Sequence, residues 1–230
     1  MKKACSIIIP IFNEGKNIIK LIKLIKKNFR NKNFEIIFVD DNSSDESHKI
    51  LQKLKDKKIR FIIRKKKNDL TQSCFDGIRK SKFTNLIIMD GDLQHHPKYL
   101  NKIYNLLIKD DKDLVVCSRS FKKRESLSMI RYISSITIIS IVNILFGHRV
   151  DDPMSGYFIF KKKIFTQNQK KFYGKGYKIL FDFIYSCQNL NLSEIKIKFY
   201  RRAYNRSKMN IMVIMHIIFS MIHKIFRNLK

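Results

Sequence analysis

An apolar run, Leu86-Ile87-Ile88-Met89, breaks abruptly into Asp90-Gly91-Asp92-Leu93-Gln94 within the segment NLIIMDGDLQHHP at 85–97. The apolar run reads as a buried strand, so two carboxylates and an amide gather where a strand ends. In open α/β sheets that edge is where ligands bind, and oxygen donors of this kind suit a hard cation and phosphate. Taken alone, D-x-D reads at least as readily as a solvated loop capping a helix that starts near Pro97. Other acids change the balance. Glu14 follows a first predicted strand, and Asp40 and Asp41 follow a second. The chain carries 48 Lys+Arg against 19 Asp+Glu. A solvated loop would therefore be expected to carry Lys and Asn, whereas these strand ends carry acids. Neither G-x-G-x-x-G nor G-x-x-x-x-G-K-[ST] is present, so phosphates must be met by a metal and by basic side chains rather than a glycine-rich cradle.

The elements that hold these residues follow from hydrophobic period. Residues 6–11, 34–39, 59–63, 86–89 and 113–117 read as strands. Helices are predicted from Asn13-Glu14 onward, with Ile18, Ile19, Leu21, Ile22, Leu24 and Ile25 as the buried stripe, then after Ser44 or Asp45 as N-cap, over 71–81 and over 98–109. Strands alternating with helices imply an α/β fold with a parallel sheet and right-handed crossovers. In such a sheet the acids are neighbours along one edge. The 230 residues suit one such domain, or one domain with a small appendage.

Beyond Arg119 the pattern changes. Residues 126–146 are rich in Ile but interrupted by Arg131, Ser and Thr, which fits either a core helix or a helix pair in a membrane interface. Asp151-Asp152-Pro153-Met154-Ser155-Gly156 reads as a turn into a strand, Gly174-Lys175-Gly176-Tyr177-Lys178 precedes a helix over 179–187, and Ile195, Ile197 and Phe199 alternate as a strand. That strand delivers Arg201, Arg202, Arg206 and Lys208. Residues 209–226 form an apolar helix with a basic end, with His216 and His223 as packed or interfacial polar groups. No stretch reaches the roughly 20 apolar residues of a spanning helix, so a helix lying on a membrane surface is the expectation. Met1 to Ile9 is read as the start of the fold, not as a signal peptide, because Pro10 ends the run early. Cys5, Cys74, Cys117 and Cys187 form no C-x-x-C pair, which predicts no zinc site or disulfide framework and a reducing cytosol. A formal charge of +29 attracts polyanions without choosing among nucleic acid, anionic lipid and phosphorylated substrates. Compositional drift toward Lys, Ile and Asn accounts for part of it.

P-x-F-N-E at 10–14, V-D-D-N-S at 39–43, M-D-G-D-L-Q-H at 89–95, S-R at 118–119, D-P-M-S-G-Y-F at 152–158, G-Y-K-I-L at 176–180 and R-x-x-N-x-S-K at 202–208 resemble, in order, the family 2 inverting glycosyltransferases. The nearest branch is the dolichol-phosphate (polyprenol-phosphate) mannosyltransferases. The resemblance implies a GT-A (Rossmann-like) fold, a mostly parallel sheet flanked by helices, with amphipathic helices at the membrane interface. It implies a GT-A domain over 1–208 with interface helices at about 125–147, and a membrane-associated helix at 209–230. A nucleotide sugar, usually GDP-mannose, would be the donor. Pro10, Phe12, Glu14, Val39 and Asp41 would line the guanosine pocket, with Asp90 and Gly91 beside the nucleotide. Asp92 and Gln94 would hold Mg2+ or Mn2+, and Asp92 would belong to the catalytic group. Arg119, Arg131, Arg202 and Lys208 would gather the donor and acceptor phosphates. Two departures stand out. Asn68-Asp69-Leu70-Thr71-Gln72-Ser73 replaces a glycine-rich segment, keeping only Gly77, and Asn205 replaces the usual Gly before Ser-Lys, a position Asn tolerates at positive φ.

The expected reaction is transfer of a hexose, mannose first, to a polyprenyl monophosphate with inversion at the cytoplasmic face of a membrane, where a small membrane partner subunit could join it. An ionised lipid phosphate, with a second pKa of about 6, attacks without a general base. A UDP-sugar such as UDP-glucose is the alternative donor. Specific nucleic-acid binding is not expected, since no recognised module appears and acids cluster where a phosphate backbone needs cations.

Overall fold

The computed structural model describes residues 4–66, 68–120, 129–202 and 211–228. A seven-stranded sheet forms the centre, with strands β1 Ala4–Ile11, β2 Asn33–Asp40, β3 Ile59–Ile63, β4 Asn85–Ile88, β5 Leu114–Arg119, β6 Phe158–Lys161 and β7 Leu192–Ile197 in the order β3-β2-β1-β4-β6-β5-β7. The helices are α1 Gly15–Phe29, α2 Ser47–Gln52, α3 Leu70–Lys80, α4 Leu100–Lys109, α5 Met129–Phe146, α6 Lys163–Asn168, α7 Ile179–Ser186 and α8 Ile211–Asn228.

The strands read as unbroken apolar runs because both faces of the sheet are covered. Alternate residues go to opposite layers. Ile7, Ile9, Ile36, Phe38 and Ile87 pack with Ile18, Leu21 and Ile25 of α1 and Leu100, Ile103 and Leu107 of α4. Ile8, Ile37, Val39, Leu86 and Ile88 pack on the other face with Cys74, Phe75 and Ile78 of α3 and Phe183 of α7. Each such side chain contributes about 1.5–3 kcal/mol by leaving water. Ile19, expected in the buried stripe of α1, is 43% exposed instead, since it lies to one side of the Ile18–Leu21–Ile25 line.

The crossovers place the C-terminal ends of β1, β2 and β4 side by side, as the pairs Ile11 with Asp40 and Ile8 with Ile88 fix. The sheet is mixed: β6 runs antiparallel to both β4 and β5, while β5 and β7 are parallel. After α5 the chain re-enters through residues 150–157 at the strand-end edge, so the next strand has to run the opposite way. That reversal carries Asp152, Ser155 and Gly156 to the edge where the acids are.

The apolar segment near 126–146 yields one helix, α5, over its described part. Val142 of α5 packs with Phe181 of α7 and with Val213, Ile217 and Met221 of α8. Both helices keep an apolar outer side: Ile133, Ile141, Ile144 and Leu145 on α5, and Ile214, Met215, Ile218, Phe219, Ile222 and Phe226 on α8 are exposed. Among the described residues no helix is long and apolar enough to cross a membrane.

Candidate active site

A left-handed turn joins the loops after β1 and β2. Asn13, at φ 55°, follows β1, and its Oδ1 accepts the backbone N–H of Ser44 at 2.7 Å and of Asp45 at 3.3 Å. Asn is the residue besides Gly that adopts this conformation at least cost. Ser43 Oγ accepts the Asn13 N–H at 2.8 Å, so the loops after β1 and β2 are stitched together. Asp45 links two helix starts, accepting the N–H of Gly15 at 3.0 Å and of Ser47 at 2.9 Å. The expected capping role of Asp45 is thus spread over α1 and α2, satisfying donors that helix ends leave open.

Asp41 is buried at the end of β2 and is ion-paired through Oδ1 with Arg64, itself buried. Its other oxygen accepts the Asp69 N–H at 2.7 Å. Burial raises the Asp41 pKa above the ordinary carboxylate value despite Arg64. Asp69 caps α3 through Gln72 N–H at 3.0 Å, and its second oxygen accepts the Gly176 N–H at 2.9 Å. The residue that departs from the glycine-rich pattern therefore fastens the 174–178 loop to the start of α3.

At the end of β4, Leu93 takes a left-handed φ of 64° with its side chain in the core. A branched residue held there costs about 1–2 kcal/mol, and such strain concentrates at functional sites. The turn brings Asp92 and Gln94 into one cavity, and the Gln94 N–H donates to Asp92 Oδ1 at 3.0 Å. Arg202 reaches the same place, with Nη2 2.7 Å from Asp92 Oδ2 and 3.5 Å from Gln94 Oε1, and Nη1 3.7 Å from Glu14 Oε1. Gln94 also fixes the incoming segment by donating to the Tyr200 carbonyl at 3.1 Å. Asp90 faces His95, whose Nδ1 is 3.1 Å from Oδ2. Burial raises the Asp90 pKa, but His95, Lys178 and Arg202 outweigh it and leave the net shift downward. For Asp92, burial and the neighbouring Asp90 charge prevail, and its pKa is raised.

Asp152, fully buried, grips Arg119 in a two-point pair, 2.6 Å to Nε and 2.9 Å to Nη2, and accepts its backbone N–H at 3.3 Å. Phe199 lies under the guanidinium at 5.6 Å. Gly156 passes so close to Asp90 that a Cβ there would run into the carboxylate. Lys178 donates to the Met154 carbonyl at 3.2 Å.

These groups surround a cavity of about 470 Å³, within the range of small-molecule sites. Pro10, Phe12, Glu14 and Asp41 line it, as do Asp90, Gly91, Asp92 and Gln94, with Arg119 and Arg202 among the cations. Val39 does not line it: one residue before Asp40, it points to the other face and packs in the core beneath α3, where a Cβ added to Gly77 would press on it. The Arg131 side chain and Lys208 lie outside the described residues. Sequence reading passed over Arg64, Lys178 and Asp152 as site residues. Lys178 and Asp152 stand in motifs already quoted, and only the mixed sheet shows why they matter.

Asp92 and Gln94 provide a carboxylate and an amide oxygen, and among the described residues no group of three His, Cys, Asp or Glu could hold a metal. Two oxygen ligands fit Mg2+ or Mn2+, which take most remaining positions from water and substrate phosphate.

Residues 6–186 match the sequence profile described as glycosyl transferase family 2. The chain is 29% identical over 209 residues to a dolichol-phosphate mannosyltransferase of Pyrococcus furiosus, covering 89% of this chain and 58% of that protein, so it spans little more than half of that relative. It is 26% identical over 234 residues to a UDP-N-acetylglucosamine–dolichyl-phosphate N-acetylglucosaminyltransferase of Methanococcus voltae, with 92% of each covered. Among solved structures, glucosyl-3-phosphoglycerate synthase from Mycobacterium tuberculosis, in complex with Mn2+, UDP-glucose and phosphoglyceric acid, superposes with a TM-score of 0.73 at 13% identity. The match covers 96% of this chain and 79% of that one. Mannosyl-3-phosphoglycerate synthase from Rubrobacter xylanophilus gives 0.70 at 12% identity, covering 98% and 74%. At these identities the structural likeness establishes a shared GT-A fold.

Proposed function

Because this chain belongs to glycosyl transferase family 2, we propose that it transfers a hexose, mannose from GDP-mannose in the first instance, to a polyprenyl monophosphate. The observation that carries the reading is that Asp92 and Gln94 line one cavity together with Arg119, Arg202, Lys178 and Asp41. Phe12 and Asp41 receive the nucleoside. Arg119, aimed by Asp152, and Lys178 face the diphosphate and stabilise the charge that grows on it as it departs. Asp92 and Gln94 would hold a divalent cation, which when bound would supply further neutralisation of that leaving group. A phosphate oxygen of the lipid forms a bond to the anomeric carbon from the side opposite the diphosphate, the sugar–diphosphate bond breaks, and the configuration inverts. No side chain has to take a proton, because the attacking phosphate is already ionised at neutral pH.

The lipid acceptor places the work at a membrane, and the apolar outer sides of α5 and α8 are suited to lie in its cytoplasmic interface. A UDP-sugar donor is a second reading, favoured by the full-length match to the N-acetylglucosaminyl relative.

The test is transfer of radiolabelled sugar from GDP- and UDP-linked donors to extractable lipid, with and without Mg2+ or Mn2+. Lipid labelling is expected from GDP-mannose and is expected to fall at least 100-fold in Asp92→Ala and Gln94→Ala. Labelling unchanged in both variants would remove the assignment of the site. Labelling from UDP-sugars alone would replace the donor.

A further inference from the structure

The atoms that would hold the cation already hold another one. Arg202 Nη2 lies 2.7 Å from Asp92 Oδ2 and 3.5 Å from Gln94 Oε1, and its Nη1 leans toward Glu14 Oε1 at 3.7 Å. The other Asp92 oxygen is occupied by the Gln94 N–H. The contact is substantially sheltered, since the Asp92 and Glu14 side chains are buried and that of Arg202 is 18% exposed. Arg202 also sits two residues beyond Tyr200, whose N–H and carbonyl are both tied to Gln94, so the guanidinium is delivered to this spot by a fixed backbone.

We propose that Arg202 is the resident counter-cation of the metal site, and that it must give up Asp92 before Mg2+ or Mn2+ can take those oxygens. The inference rests on the reading of Asp92 and Gln94 as metal ligands. A positive guanidinium in contact with Asp92 opposes a second positive charge on the same carboxylate. An incoming nucleoside diphosphate changes this, because its oxygens offer Arg202 a planar, two-point partner of the kind guanidinium prefers. Arg202 then moves from carboxylate to phosphate, and the oxygens it leaves become available. The consequence is thermodynamic. Metal alone binds weakly, diphosphate alone binds weakly, and each strengthens the other through the position of one side chain, reciprocally. The arrangement also keeps Asp92 and Glu14 compensated when no ligand is present, avoiding uncompensated carboxylates at a sheltered edge.

The experiment measures Mn2+ binding to the full chain by calorimetry, without nucleotide and with saturating GDP or UDP, in the wild type, Arg202→Met, Arg202→Lys and Lys178→Met. Lys178 lies in the same cavity but bonds the Met154 carbonyl, so its variant reports the general effect of removing one positive charge. Arg202→Met is expected to bind Mn2+ alone about tenfold more tightly than wild type, and clearly more tightly than Lys178→Met. Its gain on adding nucleotide is expected to shrink. Arg202→Lys should fall between. Equal or weaker binding of Mn2+ alone by a folded Arg202→Met, or a gain matched by Lys178→Met, overturns the proposal. Circular dichroism and thermal unfolding identify a misfolded variant, and Arg202→Lys then carries the comparison. If wild type binds no Mn2+ even with nucleotide, the failure lies with the metal-site reading itself.

Discussion

Asp152 and Arg119 show how a site residue depends on one it does not resemble. The buried carboxylate spends both oxygens on one guanidinium, which fixes the direction in which the remaining charge faces the cavity. Asp152→Ala removes one partner of a buried pair and is expected to cost about 3–5 kcal/mol of stability, read by urea unfolding. Asp152→Asn keeps the shape with weaker orientation and is expected to lower kcat/KM about 100-fold with a smaller loss of stability. Asp92 carries a prediction about pH. Burial and Asp90 hold its pKa above the ordinary aspartate value, while a cation needs the ionised form. Cation binding is therefore expected to fall off on acidification at a higher pH than an unperturbed aspartate would give, visible in a Mn2+ titration repeated from neutral to acidic pH. The main cavity residues were readable in the sequence because acids at strand ends are conspicuous in so basic a chain. Arg64 was not, because one more basic residue after a strand carries no mark. Its role exists only once Asp41, Asp69 and Asp76 converge on it.

The alternation of strands and helices was legible as far as β5, since period and length speak for themselves there. The reversed strand β6 was not, because four apolar residues look the same in either direction; what reverses them is the exit point of α5. Asp69 illustrates the same limit. In the sequence it is an acid standing where the resemblance leads one to expect a glycine-rich segment, whereas in the fold its carboxylate is consumed by Gln72 and Gly176. Gly176 is the joint between the loop and α8: its φ is 86°, and a Cβ would meet the His216 Cβ at 2.7 Å. Gly176→Ala is expected to cost about 1–3 kcal/mol from the backbone alone, with the contact to His216 adding to it. Thermal unfolding and the donor KM are the measurements. A variant with unchanged melting and unchanged KM would separate the loop from α8.

For the whole molecule, a formal charge of +29 and the apolar outer sides of α5 and α8 suit the same anionic surface. Each basic group near such a surface adds about 1 kcal/mol, and the exposed stripe of α8 supplies the apolar contact. The chain is expected to float with vesicles containing anionic lipid, more weakly at high salt. Replacing Phe219 and Ile222 together by Asp is expected to abolish flotation without unfolding the domain, because both side chains already face outward. Flotation retained in that variant at low salt and lost at high salt would assign the attachment to charge rather than to the α8 stripe.

The buried Asp182 of α7 accepts the N–H groups of Tyr173 and Gly174 and the ammonium of Lys224, at 3.0, 2.9 and 2.6 Å. Lys224 belongs to α8 and is 2% exposed, so the loop that walls the cavity shares its anchor with a helix encoded far downstream. A helix on the outside of the fold therefore has a hand in the shape of the cavity wall, because the carboxylate that holds Tyr173 and Gly174 is kept compensated from α8.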